Sequence, residues 1–360
     1  MRARSRTDVY IVGAGVIAGH HARAIPSDAA RLAGVIEVDA DRRSAFVEAH
    51  PGIESYSSLD AFLSQSRRGD ALVVVATPPP HHYAICCALL DEGLHVLCEK
   101  PLAPTLAEAR DLAERARARG VQAGSCESRF LGFDPVRRAS EIVASGAIGA
   151  VRHVEQKSTR RLFRNGIEYQ PGTQWFLNRR LSGGGPVLDW GVYDVAVVDA
   201  VVGGLESSSV RYAKLLGELA PVPEPQRDLY DVEEYAFVVS DASTRCGGVY
   251  SFVHERGAVV HGREEHYLRV IGMNGGLEIG WLPGDSYLTE YTFDSHGSPT
   301  AIEHEVDDSY DVHALPIRDM VGAIRTGRDP LVTFGRASVH ISYVDAVYAG
   351  NFMGDLLEDQ

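Results

Sequence analysis

The sequence of 360 residues predicts a doubly wound α/β domain followed by an α+β domain with a mostly antiparallel sheet. Strand and helix patterns alternate through the first third of the chain, which is typical of successive βαβ units and a parallel sheet. Beyond about residue 128, segments that alternate apolar and polar residues predominate instead. Because the chain is also longer than one hydrophobic core usually organises, we predict two domains, at residues 1–127 and 128–360.

The strands of the first domain are predicted from short apolar runs rich in β-branched residues, as expected for strands that are buried on both faces. They lie at residues 9–12, 32–36, 72–76 and 95–98. Helical patterns fall between and after them, at residues 16–25, 41–49, 59–66, 80–92 and 105–119. This order predicts a parallel sheet with helices on both faces.

The second domain begins with a helix and a strand, and a glycine-rich turn then leads into another helix. These elements are predicted at residues 135–145, 151–157 and 183–202. Four segments of period two predict strands, at residues 235–239, 248–254, 267–272 and 287–293. Two closing helices, at residues 313–326 and 337–351, are expected to pack back toward the first domain. The prolines within residues 219–228 predict a loop.

Composition excludes several classes of protein. The formal net charge of −14 argues against nonspecific nucleic-acid binding, which depends on Lys and Arg contacts to phosphates. No apolar stretch approaches the length of a membrane span, and the first residues lack the apolar core of a secretory signal. Five cysteines at irregular spacing predict reduced structural thiols, and no Cys/His spacing predicts a metal site. We therefore expect a cytoplasmic protein without metal, membrane or nucleic-acid partners.

A glycine motif, GAGVIA at residues 13–18, joins the first predicted strand to the first helix. In such a GxGxxA pattern the first glycine permits a tight turn and the second lets the backbone approach a pyrophosphate. The small third residue allows close packing of helix and strand. The motif predicts a dinucleotide site that includes Gly13, Gly15, Val16 and Ile17.

Glu37 ends the second predicted strand about 20 residues further on, where an acid accepts hydrogen bonds from ribose hydroxyls. A carboxylate there also repels the 2′-phosphate of NADP, so NAD(H) is the favoured cofactor. Arg42 and Arg43 follow closely and are suited to a 2′-phosphate, so NADP(H) stays an alternative. A tight structural turn beside a surface glutamate is the other interpretation of the whole pattern.

Two further segments follow strands at the carboxyl edge of the predicted sheet, where ligands of open α/β sheets bind. One begins at Thr77 and Pro78 and leads into the helix that carries His82. His82 either lines the cofactor pocket or caps the helix locally. The other consists of Glu99 and Lys100, which the next proline pins in place. We expect all five residues to belong to the cofactor site, with Lys100 beside the nicotinamide.

Three stretches carry a family resemblance: GAGVIAGHHARAI, ATPPPHHYAICCALLDEGLHVLCEKPLA and SGGGPVLDWGVYD. With these, and with its ending PIRDMVGAIRTGRDPLVTFGRASVHISYVDAVYAG, nearly the whole chain resembles the glucose-fructose oxidoreductase, inositol dehydrogenase and rhizopine-catabolism (MocA) family. The resemblance implies a Rossmann domain, a second domain with a large open sheet, and assembly through that sheet into a homodimer or homotetramer. It also implies hydride transfer at a sugar or cyclitol carbon.

The resemblance further implies catalytic roles for three residues. The lysine of the family's EKP motif contacts the reacting oxygen and corresponds to Lys100, and the aspartate of its GGGxxxDxGxH motif corresponds to Asp189. The histidine of that motif is replaced by Tyr193, as in the glucose-fructose oxidoreductase, dihydrodiol dehydrogenase and certain sugar-ketoreductase branches. This departure weakens the case for an inositol dehydrogenase.

The residue types agree with these roles. Asp189 and Tyr193 are four residues apart, so on a helix they lie on one face and can address a single ligand. An adjacent ammonium such as that of Lys100 favours phenolate, so that Tyr193 can take a hydroxyl proton while Asp189 orients the substrate. The alternatives are a surface lysine, a capping aspartate and a core tyrosine.

Substrate contacts are also predicted for Arg129, Trp175 and Arg179. Trp175 can stack on a sugar face, although a large aromatic residue is more often part of a core. Arg179 belongs to a basic cluster that either clamps an anionic substrate group or forms a solvated surface. The cluster comprises Lys157, Arg160, Arg161, Arg164, Arg179 and Arg180.

Together these residues predict an NAD(H)-dependent dehydrogenase or reductase that acts on CH–OH groups of a sugar, sugar derivative or cyclitol. One alternative is an NAD-dependent glycosidase of the same family, which would cleave an aryl glycoside without net formation of NADH. Another alternative is a non-catalytic regulator that senses the dinucleotide. The presence of Lys100, Asp189 and Tyr193 argues against this alternative.

Overall fold

The computed structural model describes residues 6–65, 70–161, 176–219 and 230–350. The strands are β1 (Thr7–Val12), β2 (Ala30–Ile36), β3 (Glu54–Tyr56), β4 (Leu72–Val75), β5 (His95–Cys98), β6 (Ala123–Ser125), β7 (Val151–Thr159), β8 (Leu205–Leu216), β9 (Tyr235–Thr244), β10 (Val249–Gly257), β11 (Glu265–Gly272), β12 (Gly276–Leu282), β13 (Asp285–Phe293) and β14 (Pro299–His304). The helices are α1 (Val16–Ala24), α2 (Ala40–Ala49), α3 (Leu59–Leu63), α4 (His82–Asp91), α5 (Leu106–Arg119), α6 (Asp134–Ala144), α7 (Arg179–Ser182), α8 (Pro186–Asp189), α9 (Gly191–Val201), α10 (Ala314–Thr326) and α11 (Phe334–Ala349).

The chain divides into two compact units. The first consists of residues 1–129 and 311–338, and the second of residues 130–310 and 339–360. Within the described ranges, no helix combines the length and the apolar character that crossing a bilayer requires.

The first unit is built on a six-stranded sheet in the order β3-β2-β1-β4-β5-β6, with all neighbours parallel. The order reverses direction between β1 and β4, which is the switch point where ligands of doubly wound sheets bind. The central strands are apolar because helices cover both faces, and all four residues of β4 are fully buried. Ile317 and Met320 of α10 complete this core against Val9 and Ile11.

Local chemistry sets where the helices of this unit begin. Asp39 caps α2 by accepting a hydrogen bond from the amide of Arg42, and Thr105 caps α5 by accepting one from Glu108. In contrast, α1 begins after Gly15 with no side-chain cap and no acidic residue in its first turn. The amides of that turn are therefore available to donate hydrogen bonds to an acceptor other than a capping side chain.

The second unit is built on an eight-stranded sheet in the order β14-β13-β12-β11-β7-β10-β9-β8. Only β7 and β10 pair in parallel, and the other neighbours are antiparallel. This confirms the predicted fold class of a parallel Rossmann sheet followed by a large, mostly antiparallel sheet. The buried face carries alternate residues of each strand, among them Phe252, Leu268 and Trp281.

Several predicted elements differ from the observed ones. The glycine-rich turn and helix predicted at residues 183–202 contain two helices, α8 and α9, which are separated at Trp190, and the short helix α7 precedes them. Five strands were not predicted: β3 and β6 are only three residues long, β8 carries two irregularities of register, β12 is rich in glycine, and the edge strand β14 has no buried face. The proline-containing loop predicted at residues 219–228 lies almost entirely outside the described residues.

Candidate active site

The glycine turn between β1 and α1 has the shape that a dinucleotide needs. Gly13 has a φ of 97°, and a Cβ there would lie 2.8 Å from the carbonyl oxygen of Ala76. Gly15 has open space where a Cβ would stand, and it precedes the uncapped first turn of α1. Ala18 is fully buried against the sheet. The amides of Gly13 and Ala14 are bonded to Ile36 and Glu37, whereas the first turn of α1 has no side-chain cap and an open approach. Binding of a pyrophosphate by Gly13, Gly15, Val16 and Ile17 stays a prediction.

Glu37 lies beside this turn at the end of β2. Its Oε2 accepts a hydrogen bond from the amide of Ala14 at 2.8 Å, and its Oε1 accepts one from Asp39 at 2.9 Å. A carboxylate has about four acceptor positions, so capacity for ribose hydroxyls is left. The guanidinium of Arg42, whose side chain is 58% exposed, lies 3.6 Å from Oε1, whereas Arg43 donates to the main-chain oxygen of Glu37 at 2.6 Å.

The segment after β4 carries Thr77, Pro78 and His82. The Oγ1 of Thr77 is buried without a hydrogen-bond partner among the described residues, so it is a polar atom that a bound ligand can satisfy. His82 is 0% exposed, and its two ring nitrogens face the main-chain oxygens of Thr77 and Pro101, each at 2.8 Å. The prediction that His82 lines the cofactor site is therefore corrected: the ring is enclosed by the protein, and any effect on a cofactor passes through the loops.

The segment after β5 holds Lys100, which is half-buried and precedes Pro101 through a cis peptide bond. The carboxylate of Glu99 holds this segment through a hydrogen bond. Its Oε2 accepts the amide of Lys100 at 3.1 Å, and its Oε1 accepts the Nε2 of His21 and a guanidinium nitrogen of Arg129, both at 2.8 Å. Both oxygens of Glu99 thus face donors of the protein, and its place in the cofactor site stays a prediction.

The same cluster accounts for the charge on Glu99. Burial alone would raise the pKa of Glu99, but the guanidinium of Arg129 and the hydrogen bond from His21 hold it well below its usual range. Glu99, His21 and Cys126 also place three potential metal-ligand atoms within 4.8 Å of one another. Because Arg129 already supplies a cation to Glu99, and burial raises the pKa of the Cys126 thiol, we interpret the group as an ion-pair cluster.

In the second unit, a buried carboxylate shapes the glycine-rich segment that carries Asp189. Glu233 accepts hydrogen bonds from the amides of Gly185 and Val187 and from the hydroxyl of Tyr348 at 2.8 Å. Burial raises the pKa of Glu233, although these donors favour its ionised form. Asp189, at the end of α8, lines a pocket in this unit. The pocket is formed by Phe176, Leu177, Gly185, Pro186, Asp189, Trp190, Tyr230, Val232, Glu233 and Ala258.

Tyr193 lies in the first turn of α9, whereas Asp189 ends the separate helix α8, so the two residues do not share the face of one continuous helix as predicted. Tyr193 is only 1% exposed, and its ring makes edge contacts with Phe130 and Trp190, at centroid distances of 5.1 and 5.5 Å. The surrounding rings fix its orientation. Lys100 belongs to the first unit, and Asp189 and Tyr193 belong to the second.

The sequence analysis missed a buried network directly beside Tyr193. Asp194 is fully buried and accepts two hydrogen bonds from the guanidinium of Arg256, at 2.8 and 2.6 Å, and one from His254 at 2.9 Å. Burial alone would raise the pKa of Asp194, but Arg256 and His254 hold it below its usual range. A signal was available, because His254 and Arg256 share the period-two face of β10 with the buried Phe252.

The remaining predicted substrate residues have varied surroundings. Trp175 and Arg164 lie outside the described residues. The guanidinium of Arg179 lies 4.9 Å from the ring centroid of Tyr348. Lys157 pairs with Glu255 at 3.2 Å and with Glu265 at 2.8 Å, and Arg160 lies 3.7 Å from Glu264. These pairs favour a structural interpretation for that part of the basic cluster.

Comparisons with known proteins agree with this architecture. Residues 7–125 match the model of an oxidoreductase family with an NAD-binding Rossmann fold, named GFO_IDH_MocA, and residues 136–278 match a GFO/IDH/MocA C-terminal domain. D-glucoside 3-dehydrogenase of Escherichia coli is 35% identical over 115 residues, which are 32% of this chain and 30% of that protein. Trans-1,2-dihydrobenzene-1,2-diol dehydrogenase of Bos taurus is 27% identical over 56% of this chain and 57% of its own length. The chain thus matches between about a third and about three fifths of these two relatives.

Solved structures show the same fold over nearly the whole chain. An inositol dehydrogenase homologue from Azotobacter vinelandii, complexed with NAD+, has a TM-score of 0.79 at 21% identity and covers 98% of this chain and 97% of its own. A levoglucosan dehydrogenase complexed with NADH has a TM-score of 0.78 at 18% identity and covers 96% and 97%. At this level of identity the likeness establishes the fold and not the substrate.

Proposed function

The chain belongs to the GFO/IDH/MocA oxidoreductase family, and we propose that it is an NAD(H)-dependent enzyme that interconverts a hydroxyl and a keto carbon of a sugar, sugar derivative or cyclitol. The observation that carries the proposal is the open glycine turn before the uncapped helix α1, with the carboxylate of Glu37 beside it. A dinucleotide needs free amides for its pyrophosphate and an acceptor for its ribose, and this turn provides both. When bound, the nicotinamide supplies or accepts the hydride.

The proposed roles of the chain's own residues follow from their chemistry. Lys100 donates a hydrogen bond to the reacting oxygen, and Asp189 orients the substrate by accepting one from a hydroxyl. The phenol of Tyr193 takes the hydroxyl proton during oxidation and returns it during reduction.

A panel of substrates tests this proposal. Neutral and anionic sugars, cyclitols and their keto forms are incubated with NAD(H) and NADP(H), and turnover is followed through NADH absorbance in both directions. We expect at least one sugar-like alcohol or ketone to be turned over, and the Lys100→Ala variant to lose most of that activity. Tight NADH binding without turnover of any compound would support a regulator instead. Cleavage of an aryl glycoside without net NADH would support a glycosidase.

We also propose that the sheet of the second unit mediates assembly into a homodimer or homotetramer. Large apolar side chains are exposed on several of its strands, including Val249 on β10 and Tyr291 and Phe293 on β13. Light scattering of the purified protein tests this, and a monomeric mass at micromolar concentration would contradict it. A cytoplasmic location remains a prediction from the sequence.

A further inference from the structure

The imidazole of His82 bridges two loops of the first unit. His82 opens α4 and is fully enclosed, with its Nε2 at 2.8 Å from the main-chain oxygen of Thr77 and its Nδ1 at 2.8 Å from that of Pro101. Thr77 follows β4, and Pro101 follows the neighbouring strand β5. A single ring therefore sets the separation between the main chains that leave two adjacent strands at the carboxyl edge of the sheet.

Few side chains can make this bridge. A ring nitrogen that carries a proton donates to a carbonyl oxygen, and imidazole presents two nitrogens on opposite sides of a rigid ring. A neutral ring donates to one of the two oxygens, and a doubly protonated ring donates to both. Phenylalanine fills a similar volume with no donor, and glutamine offers a donor on a flexible stem. These two replacements separate the packing of the ring from its hydrogen bonding.

Lys100 lies directly between the groups that hold this segment. Its amide donates to Glu99, which is itself held by His21 and Arg129, and the oxygen of the next residue, Pro101, meets the ring of His82. The main chain on both sides of Lys100 is thus fixed by buried polar contacts. Loss of either anchor shifts the origin of a long, flexible side chain, whose ammonium must meet the reacting oxygen within a few tenths of an ångström.

We propose that His82 is a positioning residue for Lys100, and that its ring fixes the distance between the loop of Thr77 and the loop that carries the lysine. The inference rests on the proposed function, in which Lys100 contacts the reacting oxygen. His82 makes no contact with a ligand itself. It affects the reaction by fixing the main-chain position from which the side chain of Lys100 extends.

The test compares His82→Phe and His82→Gln with the control His95→Phe. His95 is a partly buried histidine at the opposite end of β5, where its Nδ1 accepts the amide of Gln122. We expect His82→Phe to lower kcat by about 10- to 100-fold, the effect of displacing a reacting group by about an ångström, with KM and the Kd for NADH changed by less than about threefold. His82→Gln should recover part of the lost kcat. The control should lower the melting temperature with kcat within about twofold of the wild type.

The variant Lys100→Ala separates the two possible failures. Near-normal turnover by Lys100→Ala would overturn the proposed function, and this inference with it. If Lys100→Ala is nearly inactive while His82→Phe, or His82→Gln should the first variant not fold, keeps kcat within about twofold, only the inference is overturned. The double variant of Lys100→Ala and His82→Phe should be no slower than Lys100→Ala alone, because both changes act on one group. A further loss of about 10-fold in the double variant would mean that His82 acts elsewhere.

Discussion

The buried pair of Asp194 and Arg256 allows the most quantitative prediction. The carboxylate of Asp194 receives four hydrogen bonds, two from Arg256, one from His254 at 2.9 Å and one from Gln156 at 3.1 Å. In Asp194→Ala the guanidinium of Arg256 keeps its bond to Ser158 at 2.8 Å and its position 5.5 Å from the ring centroid of Trp190, but it loses its counter-charge. Removing one partner of such a pair costs about 3–5 kcal/mol, because the other charge stays buried.

Tryptophan fluorescence during urea unfolding measures this loss in the right part of the molecule. Two of the three tryptophans, Trp190 and Trp281, belong to the second unit, which also contains Asp194, and Trp175 lies outside the described residues. The matched control is Asp241→Ala, which removes an exposed pair whose side chains are 66% exposed for Arg211 and 44% for Asp241. We expect the control to lose less than about 1 kcal/mol of the free energy of unfolding.

A second variant probes the origin of the loss. Replacing both partners, Asp194→Leu with Arg256→Leu, should recover part of the free energy of unfolding, because it leaves no unpaired buried charge. Equal losses in Asp194→Ala and Asp241→Ala would refute the reasoning, since burial would then make no difference to the pair.

Two further predictions concern the cofactor and pH. Because Glu37 lies beside the glycine turn, binding titrations should give a lower Kd for NAD(H) than for NADP(H). The variant Glu37→Ser should reduce the difference between the two Kd values. Tighter binding of NADP(H) by the wild type would contradict the proposed role of Glu37 in cofactor preference. Burial and the charge of Arg256 lower the pKa of His266 from 6.5 to about 3. The unfolded chain therefore binds a proton that the folded chain rejects, and the free energy of unfolding should fall as the pH drops from 6.5 toward 3, by about 1.4 kcal/mol per unit from this residue. Urea unfolding at several pH values should give a shallower slope for His266→Gln, and an unchanged slope would contradict the assignment.

Much of the fold was predictable because periodicity reports burial. The two-sided burial of β1, β2, β4 and β5 produces continuous apolar runs, and the one-sided burial of β9, β10 and β11 produces alternation. Strands with too few residues or no buried face, such as β3 and β14, leave no such pattern. Their places are set by pairing with neighbours that are distant in the sequence.

The candidate site was predictable where a motif names a backbone shape. Gly13 needs its positive φ and its close approach to Ala76, and both requirements are visible in the GxGxxA pattern. The direction of a side chain is a different matter. Glu99 and His82 stand in the expected segments, but tertiary contacts turn them toward Arg129 and Pro101. Asp194 was overlooked because its partners, His254 and Arg256, lie about 60 residues away in the sequence.

The central claim is that Tyr193 carries the proton in an NAD(H)-dependent oxidoreduction, and turnover by Tyr193→Phe tests it most directly. The variant keeps the ring that packs against Phe130 and Trp190 and removes only the hydroxyl. With the best substrate of the panel, we predict that kcat falls by about 100- to 10,000-fold, the usual contribution of general acid/base catalysis, while the Kd for NADH stays nearly unchanged. A Tyr193→Phe enzyme with near-normal kcat would contradict the account and return Tyr193 to a packing role.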